Sequence, residues 1–274
     1  MNIWKKSNTM SLIGVGLITC NREKLFRECA SALPPADFIV VVNDGIEYPD
    51  EAFPSHITEI IQHIKNLGVG KSKNDALRFL LSKSCEHIFL LEDDIRINKD
   101  DVFKTYIEAA ESSGIHHLNF AYHGPSNKDE AGKPKEKIRI NFKNNTSLSF
   151  HSHLAGAFSY YHHTILDKVG LIDERFVNAY DHLDHTLQMI KFNLHPPFGW
   201  FADLADSDKY IEDMDPDLSK SIIRRKMFQF RLRYKLYSFL FKYKNGFMVE
   251  NYPRGTEVEF YNYLRNYTTL NTNR

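Results

Sequence analysis

Three consecutive carboxylates, Glu92-Asp93-Asp94, directly follow an apolar segment at residues 87–91. Adjacent carboxylates repel one another, so this arrangement costs stability unless a cation or hydrogen-bond donors compensate. Mg²⁺ and Mn²⁺ prefer oxygen ligands, commonly one or two carboxylates together with substrate phosphates. The triplet therefore indicates a divalent-cation site, with a solvated acidic turn as the alternative.

A second acidic segment, Asp181-His182-Leu183-Asp184-His185, mixes carboxylates with imidazoles. If residues 180–191 are helical, Asp181, Asp184 and His185 share one face, as do His182 and His185. A carboxylate beside an imidazole is suited to proton abstraction from an alcohol. Two imidazoles three residues apart could instead ligate a metal ion, and a polar helix face without a catalytic role is the remaining alternative.

Residues 66–77 contain two glycines followed closely by two lysines. Gly68 and Gly70 permit close backbone approach, and Lys71 and Lys73 could contact phosphate. The Gly-x-x-x-x-Gly-Lys-Ser/Thr spacing of a phosphate-binding loop is absent, so an ordinary helix N-terminus with basic residues is the alternative.

Apolar and helical segments alternate from the N-terminus to the acidic triplet. The pattern predicts strands at residues 11–19, 38–42 and 87–91, helices at 22–33 and 71–82, and either a strand or a short helix at 57–64. This order is typical of an α/β protein with a parallel sheet, in which ligands bind at the carboxyl ends of the strands. Polar clusters at residues 19–22, 43–45 and 92–94 follow three of these strands, which predicts one shared site.

These clusters occur in the order found in one family. Over residues 11–205 the chain resembles the family two glycosyltransferases, which are inverting enzymes of the GT-A fold. The resemblance rests on Ile13-Gly14-Val15-Gly16-Leu17-Ile18-Thr19-Cys20-Asn21-Arg22, on Val41-Val42-Asn43-Asp44-Gly45, on residues 66–74, on Glu92-Asp93-Asp94 and on Gly170-Leu171-Ile172-Asp173-Glu174-Arg175-Phe176.

The resemblance implies roles for individual residues. Asp94 would ligate the cation directly, and Asp93 would contact the ribose or the metal shell. Apart from the resemblance, the spacing of His182 and His185 makes His185 a further candidate metal ligand. Asp44 would contact the base of the nucleotide. The other expected donor-binding residues are Thr19, Asn21, Arg22, Asn43, Lys71, Lys73 and Asn74, with Lys73 standing where the family has arginine.

The catalytic base is less clearly indicated. In the family, the segment that residues 170–176 match precedes a Glu-Asp pair that carries the base, whereas here the pair reads Asp181-His182. The base is therefore Asp181, His182 or, one turn on, Asp184. We favour Asp181 from the sequence.

The resemblance implies a metal-dependent enzyme that uses Mn²⁺ or Mg²⁺ and a nucleotide-sugar, most commonly a UDP-sugar. Its acceptor would be a hydroxyl of a glycan or lipid-linked glycan, as in capsule, lipopolysaccharide or other surface polysaccharide synthesis. A sugar nucleotidyltransferase is an alternative, but its Gly-rich N-terminal loop is missing, since Gly14 and Gly16 lie inside the first strand. A non-enzymatic membrane-surface or partner-binding module is the other alternative.

Composition sets the remaining expectations. The 274 residues, with 42% hydrophobic and 26% charged residues, are typical of a soluble globular protein. They suffice for one α/β domain at 1–217 and a helical extension at 218–274. The formal net charge of zero gives no indication of a nucleic-acid partner. Three cysteines without metal-site spacing and the lack of a long apolar segment favour a cytoplasmic protein with reduced thiols.

The extension has an unusual charge pattern. Residues 219–244 contain nine Lys or Arg and no Asp or Glu, together with many aromatic and aliphatic residues. They predict either a helix packed on the domain, with its cations paired to acids such as Asp213, Asp215 and Asp217, or an interfacial helix on an anionic membrane surface. A further helix is predicted at 257–267, and a long loop or exposed hairpin at 123–145.

Overall fold

A central six-stranded sheet organises the protein. The structure, a computed structural model, describes residues 11–215 and 227–267. The strand order in this sheet is β3-β2-β1-β4-β9-β6. The first four strands along the chain are parallel, whereas β9 runs antiparallel to both of its neighbours. The strands of this sheet are β1 (Ile13–Thr19), β2 (Phe38–Asn43), β3 (Glu59–Gln62), β4 (His87–Glu92), β6 (His117–Asn119) and β9 (Phe158–His162).

Two smaller antiparallel sheets flank the central one. One has the order β10-β8-β7, and the other pairs β11 with β5. Their strands are β5 (Ile95–Ile97), β7 (Ile138–Asn141), β8 (Ser147–His151), β10 (Phe201–Leu204) and β11 (Ile211–Asp213). The segment predicted as a loop or hairpin at 123–145 is mostly loop, and β7 and β8 pair as a hairpin at its end.

Seven α-helices complete the described part of the chain. They are α1 (Glu23–Ser31), α2 (Val69–Ser82), α3 (Val102–Ser113), α4 (His163–Val169), α5 (Asp181–Lys191), α6 (Met227–Asn245) and α7 (Glu257–Tyr267). The strand and helix predictions for residues 11–91 are confirmed, and the ambiguous segment at 57–64 contains a strand. The helices predicted at 180–191 and 257–267 are also confirmed, while 219–226 lie outside the described residues.

Apolar packing on both faces of the sheet explains why its strands are continuously hydrophobic. On one face, Val15 and Leu17 of β1 join a core that includes α1 and α3. On the other face, Ile18 of β1 packs with Ala76 and Leu80 of α2. In a strand that is buried on both faces, side chains on either face contact apolar neighbours, so polar residues do not alternate with apolar ones as they do in a half-exposed strand.

The C-terminal helices pack on this α/β body by different contacts. Phe260 of α7 is buried in the main core, where its ring stacks on Trp200 at a centroid distance of 4.3 Å. Phe241 of α6 is buried in a separate cluster with Phe176 and Tyr180. The predicted domain boundary at 217/218 falls outside the described residues. None of the described helices has the length and apolar character that crossing a bilayer requires.

Candidate active site

Three parallel strands bring the predicted clusters together at the carboxyl ends of the strands. In the register of the sheet, Thr19 of β1 lies beside Asn43 of β2, and Ile18 lies beside Glu92 of β4. The polar residues that follow each strand are therefore neighbours in space. The predicted meeting of the three clusters at the carboxyl ends of the strands is confirmed.

The acidic triplet carries more negative charge than its protein partners neutralise. Arg22 forms an ion pair with Asp93 and donates from Nη1 to Asp94 Oδ2 at 2.8 Å. Thr19 donates its hydroxyl to Asp93 Oδ2 at 2.5 Å. Burial, opposed by Arg22 and reinforced by Asp94, raises the pKa of Asp93 to about 7. One guanidinium faces two buried carboxylates, so a further cation would relieve their repulsion.

The oxygens of the triplet fit a hard divalent cation. Asp94 Oδ1 is buried and has no hydrogen-bonding partner within residues 11–215 and 227–267. Mg²⁺-type ions bind through one or two carboxylates and leave their other positions to water and substrate phosphates. Asp94 and Asp93 therefore supply a suitable donor set.

His185 does not join that set, contrary to the expectation from the sequence. Its Nε2 donates to the carbonyl oxygen of Gly170 at 2.9 Å, and its ring packs near Tyr161. The ring is buried beneath α5. A metal role for His185 beside Asp93 and Asp94 is not supported, because the ligand atoms of these three side chains do not lie within 4.8 Å of one another.

Lys73 connects the acidic triplet to the second acidic segment. It is buried, and its Nζ lies 2.8 Å from Glu92 Oε1 and 3.4 Å from Asp181 Oδ2. The same ammonium donates to the carbonyl of Gly156 at 3.1 Å. Although burial opposes its charge, Glu92 and Asp181 hold the pKa of Lys73 well above its ordinary value. Lys73 is thus a permanent cation between two acids from distant parts of the chain.

Asp181 and His182 form a pair at the start of α5. Tyr180 adopts a left-handed conformation (φ 67°) that turns the chain into the helix, so Asp181 occupies the first helical position. Burial opposes ionisation of Asp181, but Lys73 and His182 hold its pKa well below the usual range. His182 Nδ1 lies 3.5 Å from Asp181 Oδ1, and 28% of the imidazole is exposed against 3% of the carboxylate. The imidazole is the more accessible member of the pair.

Gly156 makes room for this imidazole. A Cβ atom at residue 156 would lie only 2.7 Å from His182 Nδ1. Any larger side chain there would displace the ring. The combination of Gly156, Lys73 and Asp181 fixes where His182 can sit.

Asp184, the third candidate for the base, is bound by the end of the C-terminal helix α6. Its carboxylate accepts from Lys244 Nζ at 2.6 Å and from Asn245 Nδ2 at 3.0 Å. Both donors belong to the end of α6. Asp184 therefore anchors the C-terminal helix, although it lies only one turn from Asp181.

Asp44 is also committed to protein contacts. Its two oxygens accept from the backbone N–H groups of Leu67 and Gly68, both at 2.7 Å, and His63 Nδ1 donates to it at 2.7 Å. Three donors already occupy this carboxylate, and only 3% of Asp44 is exposed, so its side chain is little accessible to a nucleotide base. Its expected contact with the base is corrected to a structural role, namely holding the loop before α2.

Asn43 and Asn21 shape the same loop region. Asn43 donates to the carbonyl of Ile46 at 2.8 Å and accepts from Gly45 N–H at 3.2 Å. Asn21, in a left-handed conformation, accepts from Ile46 N–H at 2.8 Å. These contacts join the loops that follow β1 and β2, so both asparagines border the site and stabilise its loops.

The remaining two predicted donor-binding residues lie on α2. Asn74 is buried, donates to the Ile172 carbonyl at 2.8 Å and accepts from Ile172 N–H at 3.0 Å. Its expected donor-binding role is therefore corrected to a structural one. Lys71 pairs with Asp75 one turn along the helix and remains partly exposed.

His123 and Asp213 reach the acidic triplet without any signal in the sequence. His123 Nδ1 lies 3.3 Å from Asp213 Oδ1. Burial opposes protonation of His123, but Asp213, Asp94 and Glu92 together raise its pKa. Asp213 also lies 3.6 Å from Lys128 Nζ, and its expected pairing with the basic segment concerns side chains at 219–231 that lie outside the described residues. Pairing of β11 with β5 brings it here, and the Met214 N–H donates to the Asp94 carbonyl at 2.8 Å.

Comparisons with known proteins bear on the fold. No protein-family model and no curated protein matches the sequence. Among solved structures, residues 1–349 of TarS from S. aureus align with a TM-score of 0.52 and 18% identity, over 88% of this chain and 75% of that one. A longer TarS structure aligns with a TM-score of 0.52 and 17% identity, and the match covers 88% of this chain but only 44% of that one.

A third solved structure is the mannosyltransferase PcManGT from Pyrobaculum calidifontis, in complex with GDP-Man and Mn²⁺. It aligns with a TM-score of 0.54 and 13% identity, over 94% of this chain and 69% of that one. Identities this low establish the architecture alone. The chain has the GT-A-like α/β fold of these glycosyltransferases.

Proposed function

We propose that this protein is a metal-dependent, inverting glycosyltransferase that moves a sugar from a nucleotide-sugar to an acceptor hydroxyl. The observation that carries the proposal is the convergence of Asp93 and Asp94 with Lys73 and the Asp181–His182 pair at one edge of the sheet. The fold supports it, because TarS and a mannosyltransferase share the architecture.

Asp94 and Asp93 would hold Mn²⁺ or Mg²⁺, and the cation would neutralise the charge that develops on the departing diphosphate. Arg22 lies on the same two carboxylates and keeps them in position. Lys73 adds a fixed positive charge between the triplet and the second acidic segment. These residues bind and orient the donor before any bond changes.

The proton acceptor is His182, and Asp181 positions it. A carboxylate beside Nδ1 favours the tautomer whose Nε2 can accept a proton from an alcohol. Asp181 is itself a poor base because Lys73 stabilises its ionised form. The greater exposure of the imidazole supports the same assignment.

The proposed donor and acceptor rest on the family resemblance and on the similar solved structures. A UDP-sugar is the first candidate, and a GDP-sugar is the second because PcManGT was solved with GDP-Man. The acceptor proposed is a glycan or lipid-linked glycan of a bacterial surface polysaccharide, with the enzyme on the cytoplasmic side.

An exposed face of α6 supports contact with an anionic membrane. Leu232, Leu236, Phe239 and Tyr243 form an exposed stripe at helical spacing, which we call the α6 stripe. Arg233, Lys235 and Lys242 flank it and are exposed, with no salt bridge in the described part of the chain. Apolar residues flanked by cations are typical of an interfacial helix.

A donor-hydrolysis screen with UDP- and GDP-sugars, with and without Mn²⁺, tests the central proposal. We expect metal-dependent release of one nucleoside diphosphate, and Asp94→Asn should lower its rate about 10²-fold or more. Asp100→Asn, at an exposed site, is the matched control and should retain full activity.

Full activity of Asp94→Asn, or activity unaffected by EDTA, would exclude the metal-dependent mechanism. Metal-dependent retention of labelled UDP or GDP in ultrafiltration separates the proposal from a non-enzymatic module, which requires no such binding. Formation of a nucleotide-sugar from a sugar phosphate would instead identify a nucleotidyltransferase.

A further inference from the structure

A group of imidazoles lies at the end of the central sheet opposite to the candidate active site, where β4 begins and β9 ends. His87 begins β4 and is the register partner of His162 at the end of β9. The rings of His116 and His163 lie 4.9 and 4.8 Å from that of His162. Because β4 has six residues, this edge is about 17 Å from the acidic triplet. The group is separate from the candidate active site.

Three side chains in this region converge on one point. Glu86, His162 and His163 each offer a ligand atom, and these atoms all lie within 4.8 Å of one another. Within the described residues, no other set of three such side chains is this compact. All three are partly exposed, so an ion could enter from solvent.

A second partner orients each of the three side chains. His162 Nδ1 is bound to Thr164 Oγ1 at 2.8 Å, and His163 Nδ1 lies 3.1 Å from Asp167 Oδ2. The hydroxyl of Ser11 donates to Glu86 Oε2 at 2.6 Å. The candidate ligand atoms are therefore His163 Nε2 and the pair formed by His162 Nε2 and Glu86 Oε1, which are hydrogen-bonded to each other. An ion would replace that hydrogen bond, and the Nδ1 proton of His162 would be donated to Thr164 Oγ1. Outer partners of this kind are typical of histidine metal sites.

The two closest candidate ligand atoms have a spacing that suits a small ion. His162 Nε2 lies 3.2 Å from Glu86 Oε1. Zn²⁺ binds nitrogen and oxygen at about 2.0–2.1 Å, and tetrahedral angles then place neighbouring ligand atoms about 3.3 Å apart. Imidazole ligates a metal in its neutral form, so binding at this site should strengthen as the pH rises.

We propose that Glu86, His162 and His163 form a second metal site, specific for Zn²⁺ or a similar borderline transition-metal ion. Two imidazoles and one carboxylate favour such an ion, whereas the all-oxygen triplet at the other edge favours Mg²⁺ or Mn²⁺. Water would complete the coordination. The bound ion would join the start of β4 to the start of α4 and stabilise that edge of the sheet.

Titration of the metal-stripped full chain with Co²⁺ tests this site. The protein should carry no histidine tag, and the visible absorption should be followed. Four-coordinate Co²⁺ with nitrogen ligands gives intense d–d bands, whereas oxygen-bound, six-coordinate Co²⁺ at the acidic triplet absorbs weakly. We expect intense bands that saturate at a single equivalent and disappear on addition of Zn²⁺.

Variants distinguish the two sites. His163→Gln should abolish the intense bands, and Asp167→Asn should weaken Co²⁺ binding about 10- to 100-fold by loss of the outer partner. His56→Gln, at an exposed histidine elsewhere, and Asp94→Asn should both keep the bands. Circular dichroism of each metal-free variant establishes that it is folded.

The proposal is overturned if the wild-type protein gives no intense bands, or if His163→Gln binds Co²⁺ as the wild type does. Loss of the bands in Asp94→Asn would place the ion at the acidic triplet instead. In that case the contact between Glu86 and His162 is only a hydrogen bond. None of these outcomes depends on transferase activity.

Discussion

Asp181 and Asp184 lie one turn apart on α5, are both buried, and are each paired with a lysine. Their surroundings nevertheless give them different roles. Asp181 shares Lys73 with Glu92 and borders the candidate active site. Asp184 accepts from Lys244 and Asn245 and holds α6 against the domain. The two carboxylates are chemically the same, and their roles differ because their lysine partners lie in different parts of the structure.

The same contrast separates the two lysines. Lys73 is enclosed by acids from β4 and α5, at the edge where the polar loops meet. Lys244 is about one-quarter exposed and joins Asp173 to Asp184 at the surface of α5. We therefore expect changes at the first pair to alter activity, and changes at the second pair to alter stability.

The largest expected effect is on turnover. His182→Ala should lower the rate of sugar transfer about 10²- to 10⁴-fold, because the proton acceptor is lost. Asp181→Asn should cause a smaller loss, since the imidazole remains but is less well oriented. Both variants should bind nucleotide as the wild type does, as measured by equilibrium titration.

The control for this comparison is Asp184→Asn, which should keep its activity per folded molecule. If Asp181→Asn is inactive while His182→Ala is active, Asp181 is the base and the assignment is reversed. If Asp184→Asn loses turnover without losing stability, the contrast between the two acids is wrong.

The next effect is on stability. Lys244→Met should lower the free energy of unfolding by about 2 kcal/mol, because it leaves the buried Asp184 carboxylate without its cation. The cost is smaller than for a fully buried pair because Lys244 is partly exposed and Asn245 still donates to Asp184. Urea denaturation measures it. Lys242→Met, at an exposed neighbour, should be neutral.

Acid should weaken the same anchor. Hydrogen bonding from Arg175, with further help from Lys244, holds the pKa of Asp173 well below its usual value despite partial burial. Its ionised form therefore stabilises the fold at neutral pH, and this contribution is lost as the pH falls below about 4. Urea midpoints of wild type and Asp173→Asn should differ at neutral pH and converge in acid. A constant difference would exclude this linkage.

The smallest effect concerns the α6 stripe. The protein should float with anionic vesicles more than with neutral ones, and salt should weaken the association. Leu236→Glu combined with Phe239→Glu should reduce flotation while leaving the domain folded, because both side chains are exposed. Equal flotation with both vesicle types would show that α6 serves only to pack on the domain.

Much of the fold was predictable because its signals are local. Buried strands appear as short β-branched segments such as residues 38–42, and the turn residues that follow them mark the strand ends. Residues 180–191 and 257–267 carry helical patterns that need no distant information. The acidic triplet could therefore be placed at the end of its strand, whereas only the family resemblance linked the Asp181–His182 pair to the same site.

Other roles could not be predicted from local patterns. Asp44 has the type and position expected of a nucleotide contact, yet backbone N–H groups of a loop 23 and 24 residues away occupy its oxygens. Nothing near Asp213 in the sequence indicates that β11 would bring it beside the acidic triplet.

The sequence by itself determined the parallel strands, the order of the polar clusters and the helix that carries Asp181, because hydrophobic periodicity and turn residues act over a few positions. Only the tertiary structure decided which acids face the site. Lys73 meets Asp181 across 108 residues, and Lys244 meets Asp184 across 60. The role of a buried charge depends on the cation that compensates it, and in this protein that cation comes from a distant part of the chain.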